Sequence, residues 1–248
     1  MKIMTVGATG YLGSEIFAQA AAMGHEALGT SRSDVRPDLV QFDLDNTATW
    51  PGLTDAQPDA LIWTAWSRDE QSPGKLADLL DTLGDTKFIY VSSDAAFCNR
   101  SLRAATQLGD YARTKRAEQS LVLQNSRSAV FVTGPIYGET GSGRLDSRTV
   151  ALLERDGEHK YWDNAYKTFV PVRGLARTIL ANLDKSGQYF VGPRTRQSYF
   201  DFYKSQVQKY DLSTTTFRAV SVANQELGRL GICGDTSYAD NPTRLWSE

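Results

Sequence analysis

The chain has 248 residues, a formal net charge of −2 and a pI near 5.8, a length that allows one large core or a main domain carrying a smaller lobe. No lysine/arginine block of the kind that neutralises a phosphate backbone is present, which argues against nucleic acid as a partner. Met1 leads directly into a short apolar run and a glycine loop, without a signal-peptide pattern or a stretch able to span a bilayer, so a cytoplasmic protein without membrane association is expected. Cys98 and Cys233 stand far apart, and His25 and His159 are the sole histidines. No metal-ligand spacing results, so no metal and reduced, structural cysteines are expected.

KIMTV (2–6) reads as a strand, and GATGYLGSEIFAQAAAMG (7–24) places glycines first and apolar residues at helical spacing after them, giving strand, turn, helix. HEALGTSRS (25–33), LVQFDLD (39–45) and DALIWTAW (59–66) read as the second to fourth strands. KLADLLDTLG (75–84) reads as a helix and KFIYVSSD (87–94) as the fifth strand. GDYARTKRAEQS (109–120) reads as a helix, and SAVFVTGPIYG (128–138) as a strand ending in a loop. Near-continuous apolar strands alternating with helices predict a parallel sheet covered on both faces, a doubly wound α/β fold of Rossmann type.

Beyond Gly138 the rhythm loosens. GETGSGRLDS (138–147) reads as a loop, RTVALLERDG (148–157) as a short helix, KTFVPV (167–172) as a strand, RGLARTILANL (173–183) as a helix and GQYFVG (187–192) as a strand. SYFDFYKSQVQKY (198–210) reads as a helix and TFRAVSV (216–222) as an isolated β-like run before a polar tail. The expected division is a Rossmann domain at 1–138, completed by elements within 168–192, with 139–167 and 193–248 forming a small C-terminal substrate-binding lobe over the sheet's carboxyl edge, where ligands bind in such folds.

The first chemical signal is Gly7, Gly10 and Gly13. A turn after the first strand needs one glycine for its backbone angles, another so that the chain can approach a pyrophosphate, and a third so that the helix packs closely on the strand. The helix N-terminus then offers free N–H groups and partial positive charge to phosphate. Strand, spacing and helix coincide here, so dinucleotide binding is expected, with Thr9, Tyr11 and Leu12 among its contacts. The end of the second strand carries Ser31, Arg32 and Ser33 and no acid to hold a ribose 2′-hydroxyl. Arginine suits a 2′-phosphate, which favours NADP(H) over NAD(H), the alternative being that Arg32 is a solvated loop residue. Asp43, followed by Leu44, either reaches the adenine or shapes a turn.

Tyr111 and Lys115, four apart in a helix, are by themselves a weak signal. They follow YVSSD at the fifth strand's end, which brings Ser92, Ser93 and Tyr111 towards the sheet's carboxyl edge. Together TVGATGYLG, YVSSD and YARTK resemble the extended short-chain dehydrogenases/reductases, the NAD-dependent epimerase/dehydratase group. SSDAAF and YARTK are closest in flavour to the dTDP-4-dehydrorhamnose reductase branch, and GPIYGE, TFVPVRGLA and GQYFVG answer to further family segments. The resemblance implies an oxidoreductase with Ser93, Tyr111 and Lys115 as its triad and with Thr64, Ala65, Trp66, Pro135 and Ile136 beside the cofactor. Reducing a ketone needs a proton on oxygen as hydride reaches carbon, from an acid titrating near neutrality. Free tyrosine titrates near ~10, so the site must supply roughly 3 units, about 4 kcal/mol, and an ammonium about 4 Å away in a partly shielded site is worth that order. Lys115 is therefore expected to lower the Tyr111 pKa, and Ser93 to hydrogen-bond the oxygen where charge develops.

Dehydratases of the family carry an acid pair after the serine, whereas this chain reads Asp94 then Ala95, which disfavours dehydration. Arg32 argues for an exchanged NADPH, hence net reduction rather than epimerisation. The resemblance implies a small carbonyl substrate, a nucleotide-linked 4-keto sugar being its usual form. Tyr137, Arg144 and Trp162 are candidates to hold its base or diphosphate, or else packing and surface residues. Departures lie in the short interval from Ser93 to Tyr111, filled by CNRSLRAATQLGD, in the trimmed stretch 66–87, which leaves monomer and homodimer open, and in Pro171, Arg173 and Gly174. Trp63 and Trp66 belong either to the core or to the cofactor wall. The alternatives are an epimerase of the same family and a non-catalytic NADP(H)-binding regulatory protein.

Overall fold

The computed structural model describes residues 1–33, 36–67, 69–97, 109–154, 157–210, 216–221 and 244–246. Cys98 and Cys233, and most of the segment between Ser93 and Tyr111, lie outside these. An eight-stranded sheet is built from β1 (Lys2–Val6), β2 (Glu26–Ser31), β3 (Leu39–Gln41), β4 (Ala60–Trp63), β5 (Lys87–Ser93), β6 (Ala129–Thr133), β11 (Gly187–Val191) and β14 (Arg244–Leu245). Its order is β14-β11-β6-β5-β4-β1-β2-β3, and every pairing in it is parallel. The order reverses between β1 and β4, which opens a crevice at the carboxyl ends of these two strands.

Side chains alternate across the strands and so supply two cores. Ile3, Ile62, Ile89, Val91 and Phe131 face one layer, with Leu12 and Ile16 of α1 (Tyr11–Ala22) and Leu175 and Ile179 of α6 (Val172–Leu180). Met4, Leu61, Trp63, Phe88, Tyr90 and Val130 face the other, with Leu76 and Leu79 of α3 (Ser72–Thr82) and Val122 of α4 (Asp110–Val122). Each such side chain contributes about 1.5–3 kcal/mol on burial. The fold is the doubly wound α/β arrangement that the strand pattern predicts.

Outside the sheet, β7 (Ile136–Tyr137), α5 (Ser147–Glu154), β8 (Glu158–Trp162), β9 (Tyr166–Lys167), β10 (Val170–Pro171), β12 (Gln197–Ser198), α7 (Tyr199–Tyr210) and β13 (Thr216–Val220) surround an aromatic cluster. Within it Phe169 stacks on Phe202 at 3.7 Å and Tyr161 on Tyr203 at 4.4 Å between centroids.

The structure departs from the sequence expectations in four places. KTFVPV is not one strand: Lys167 pairs with Gln197 and Val170 with Ile136, because Phe169 between them turns into the aromatic cluster and Pro171 caps α6. β8 was not expected, its residues being as polar as they are β-prone, and it pairs in parallel with β13. A one-turn helix, α2 (Pro51–Asp55), follows Trp50, with Pro51 at its first position. Arg244 and Leu245, expected in the lobe, instead extend the main sheet beside β11. Arg244 Nε donates to the Gly192 carbonyl at 2.8 Å, and Trp246 fills the space that Gly174 leaves open, where a Cβ would lie 2.8 Å from the indole.

Candidate active site

The glycine turn is shaped by close approach. Gly7 has φ +87°, and a Cβ there would lie 2.9 Å from Thr64 Oγ1; a Cβ on Gly13 would lie 2.1 Å from the Gly7 carbonyl oxygen. Gly7 N donates to Thr30 Oγ1 at 3.1 Å, and Thr64 Oγ1 donates to the Val6 carbonyl at 2.8 Å, tying the turn to both neighbouring strands. Gly10 caps α1 with no side-chain hydrogen bond, and the first turn carries no acid. Its N–H groups and partial positive charge are thus left for an anion, which fits a dinucleotide pyrophosphate.

A cavity of about 580 Å³ runs from this turn over β2 and β4. It is lined by Gly7, Thr9, Gly10, Ser31, Arg32, Asp43, Leu44, Thr64, Ala65 and Trp66, among others. A second cavity, of about 540 Å³, shares Thr64 and Trp66 with the first. Its walls include Leu12, Ser93, Tyr111, Lys115, Pro135 and Ile136. The two adjoin along the carboxyl edge of the sheet and bring most of the expected site residues together.

Three expected residues fall elsewhere. Tyr11 turns its hydroxyl to the Gly138 carbonyl, 2.6 Å away, and borders a separate cavity with Arg144 and Asp146; burial raises its pKa. Ser33 is exposed and lines neither cavity, its N–H donating to Ser31 Oγ at 3.3 Å. Gly13 lines neither cavity, and its missing side chain makes room for the Gly7 carbonyl. Of the tryptophans, Trp63 is 2% exposed and packs between Phe42 and Phe88, whereas Trp66 sits at the junction of the cavities, its ring 5.2 Å from that of Tyr111. Of the lobe candidates, Trp162 lines the second cavity. Tyr137 packs on Phe202, and Arg144 Nη1 donates to the Thr9 carbonyl at 2.9 Å.

Helix α4 carries Tyr111 and Lys115 on one face. Lys115 is 4% exposed; its Nζ lies 4.6 Å from the centre of the Tyr90 ring and donates to the Val91 carbonyl at 3.4 Å. Burial pushes its pKa down to about 8, against the nearby Glu118, which raises it. Glu118 is itself buried and accepts from Ser72 Oγ at 2.7 Å and from the Tyr90 hydroxyl. Tyr111 keeps 40% of its surface open to the cleft. Its pKa is nevertheless raised, chiefly by the protein crowding the phenol and secondarily by Asp94 and Glu118, while the Ser93 hydroxyl and the charge of Arg148 lower it. This corrects both the expected direction and its source: desolvation of the phenol outweighs the pull of Arg148, and the expected pull of Lys115 does not figure.

Sequence reading missed two basic residues of the second cavity, Arg148 and Lys167. Arg148 lies over the Tyr199 ring at 5.4 Å. Burial works against its charge, but the Tyr199 and Tyr203 phenols beside it hold its pKa above the usual range. No signal marked either residue, since each is brought to the site by pairings far away in sequence. Among the described residues no cluster suited to a metal ion occurs and no helix is long and apolar enough to cross a membrane.

The strand order and its central glycine turn are those of the short-chain dehydrogenase/reductase folds. The sequence model of the RmlD substrate binding domain matches residues 1–230, and the chain belongs to that family. Methionine adenosyltransferase 2 subunit beta of Xenopus tropicalis is 23% identical over 254 residues, covering 91% of this chain and 74% of that protein. Among solved structures, a hypothetical dTDP-4-dehydrorhamnose reductase from Sulfolobus tokodaii superposes with a TM-score of 0.73 at 18% identity, over 90% of this chain and 87% of its own. The Bacillus anthracis dTDP-4-dehydrorhamnose reductase in complex with NADP gives a TM-score of 0.70 at 18% identity, over 92% and 86%.

Proposed function

We propose that the protein is an NADPH-dependent reductase of a keto group, carried by a nucleotide-linked 4-keto sugar or a related small carbonyl compound, with Tyr111 as proton donor. The observation that carries this reading is the meeting of Ser93, Tyr111 and Lys115 on one cavity that opens onto the glycine-turn cavity. NADPH held at the glycine turn would supply the hydride. Tyr111 holds its proton at neutral pH and delivers it to the carbonyl oxygen. Ser93 donates a hydrogen bond to the same oxygen as charge builds there, and Lys115, one turn away, brings a positive charge to the same cavity. Among the described residues, Lys115, Arg148 and Lys167 face a single carboxylate, Asp94, in the second cavity, a balance that suits an anionic substrate such as a nucleoside-diphosphate sugar. The Bacillus anthracis reductase bound to NADP supports the cofactor assignment.

Tyr111→Phe tests the reading. Turnover of NADPH with a dTDP-4-keto sugar should fall about 10²–10⁴-fold, the usual share of a general acid, while NADPH binding followed by fluorescence stays near wild type. A second reading, a cofactor-binding regulatory subunit without turnover, is favoured by the curated relative, which is named as a subunit of another enzyme. On that reading the wild type consumes no NADPH and the substitution changes nothing.

A further inference from the structure

Asp94 and Lys167 form an ion pair of 2.5 Å between Nζ and Oδ2, with side chains 5% and 2% exposed. The partners are 73 positions apart. Asp94 follows Ser93 in the short turn after β5, and Lys167 belongs to β9 in the second half of the chain. Both line the cavity that holds Tyr111. A buried ion pair is commonly no more stabilising than apolar residues of the same size, so stability alone does not explain its presence here.

Its connections do. The second carboxylate oxygen of Asp94 lies 3.5 Å from Ser93 Oγ, and the Ala95 N–H donates to that same Oγ at 3.2 Å. Ser93 and Tyr111 line the same cavity, where the serine hydroxyl pulls the phenol's pKa down. A line of contacts therefore runs from the Lys167 ammonium through Asp94 to Ser93, on the cavity that also holds the Tyr111 phenol. The charges that reach Tyr111 are Asp94 from the turn, Arg148 from α5 and Glu118 on its own helix, with the Tyr90 phenol on β5 coupled to it; Lys115, also on the cavity, sits over the Tyr90 ring. As Tyr111 gives up its proton, negative charge builds on its oxygen, and an uncompensated Asp94 would oppose that step.

We propose that Lys167 is a positioning residue of this site, acting through Asp94 to fix Ser93 against Tyr111 and to cancel the carboxylate's charge beside the proton donor. The proposal rests on Tyr111 being that donor. The test compares full-length wild type, Lys167→Met, Asp94→Asn and the double variant, each with a thermal melt and an NADPH titration. Tyrosine ionisation is followed by absorbance against pH, and subtracting the same titration in a Tyr111→Phe background isolates the Tyr111 phenol. In Lys167→Met the Tyr111 ionisation should rise by about one pH unit, the order of one unit charge in a partly shielded site, with NADPH affinity within about twofold of wild type. In the double variant it should return. Should Lys167→Met fail to fold, Asp94→Asn carries the test, and its Tyr111 ionisation should fall by a similar amount. With a dTDP-4-keto sugar and NADPH, the alkaline limb of kcat/KM should follow the same shifts, and Lys167→Met should lose about tenfold in kcat. An unmoved phenol in folded variants, or a double variant as perturbed as Lys167→Met, overturns the proposal. A wild type inert towards the keto sugar counts against the reductase reading instead, because the phenol titration needs no substrate.

Discussion

Replacing Lys115 by Met should make the protein more stable at neutral pH. The side chain is 4% exposed, and its pKa of about 8 in the fold compares with 10.5 for a free lysine. Burial dominates this shift, and Glu118 recovers only part of it. A depression of roughly 2.5 units corresponds to about 3 kcal/mol of penalty for carrying the charge in the fold. Below pH 8 both the folded and the unfolded chain hold the proton, so the penalty is complete. Between about 8 and 10.5 the unfolded chain binds more protons than the folded one, and stability rises with pH across that window. Methionine, of similar length and without the charge, avoids the penalty at every pH. Urea unfolding should therefore show Lys115→Met more stable by about 3 kcal/mol at pH 7, with the gap closing towards pH 10.5; groups common to both proteins cancel in the difference. In a chain of this size the same gain raises Tm by roughly 6–12 °C. A variant less stable than wild type at pH 7, or a gap independent of pH, would refute the reasoning. Lysine at this position then reflects function held against stability.

Gly13→Ala should destabilise the fold by about 3 kcal/mol or more, since its Cβ meets backbone atoms of Gly7 that cannot yield, whereas Gly24→Ala, with φ +80° and open space around it, should lose only about 1–2 kcal/mol; thermal unfolding compares the two. Gly174→Ala should displace Trp246, whose indole occupies the missing side chain's place, and a red shift in tryptophan emission with about 1–3 kcal/mol of lost stability would report it.

What the sequence discloses and what it hides follow one physical division. Strands β1, β4, β5 and β6 are apolar on both faces because the sheet is covered on both, and that continuity is visible without any partner. The glycine turn and the Tyr111–Lys115 interval are likewise local, set by backbone geometry and the helical repeat. Lys167 and Arg148 are not legible, because what places them at the site is the pairing of β9 with β12 and the packing of α5 under Tyr199, contacts between distant segments. The two-residue strands and β14 fail for the same reason: Arg244 and Leu245 become a strand only because Gly192, Gly174 and β11 receive them. The direction of the Tyr111 pKa is not legible either, because desolvation is a property of the assembled cavity, whereas a lysine four residues away is visible in the helical repeat.

Cofactor choice turns on a local charge balance that Arg32 alone decides on the proposed reading. Among the described residues lining the glycine-turn cavity, Arg32 is the sole cation, facing Asp43, Asp45 and Glu118. Two of these acids are already engaged, Asp45 by Lys75 at 2.5 Å and Glu118 by Ser72 and Tyr90. Asp43 has one oxygen accepting from the Asp45 N–H at 3.1 Å. Arg32 is exposed and forms no ion pair among the described residues, so its guanidinium is available to a 2′-phosphate. Charge-assisted hydrogen bonds of this kind contribute about 1.5–3 kcal/mol, equivalent to roughly 10–100-fold in Kd. Arg32→Gln should therefore weaken NADPH by about that factor and leave NADH within about twofold, because the glycine turn, Thr64 and Ala65 meet parts common to both. Raising the salt concentration should weaken NADPH binding to the wild type more than to the variant, since the pair lost is exposed and screened. Equal weakening of both cofactors would mean that Arg32 holds the loop rather than the phosphate, and no change in either would place the 2′-phosphate elsewhere in the cavity.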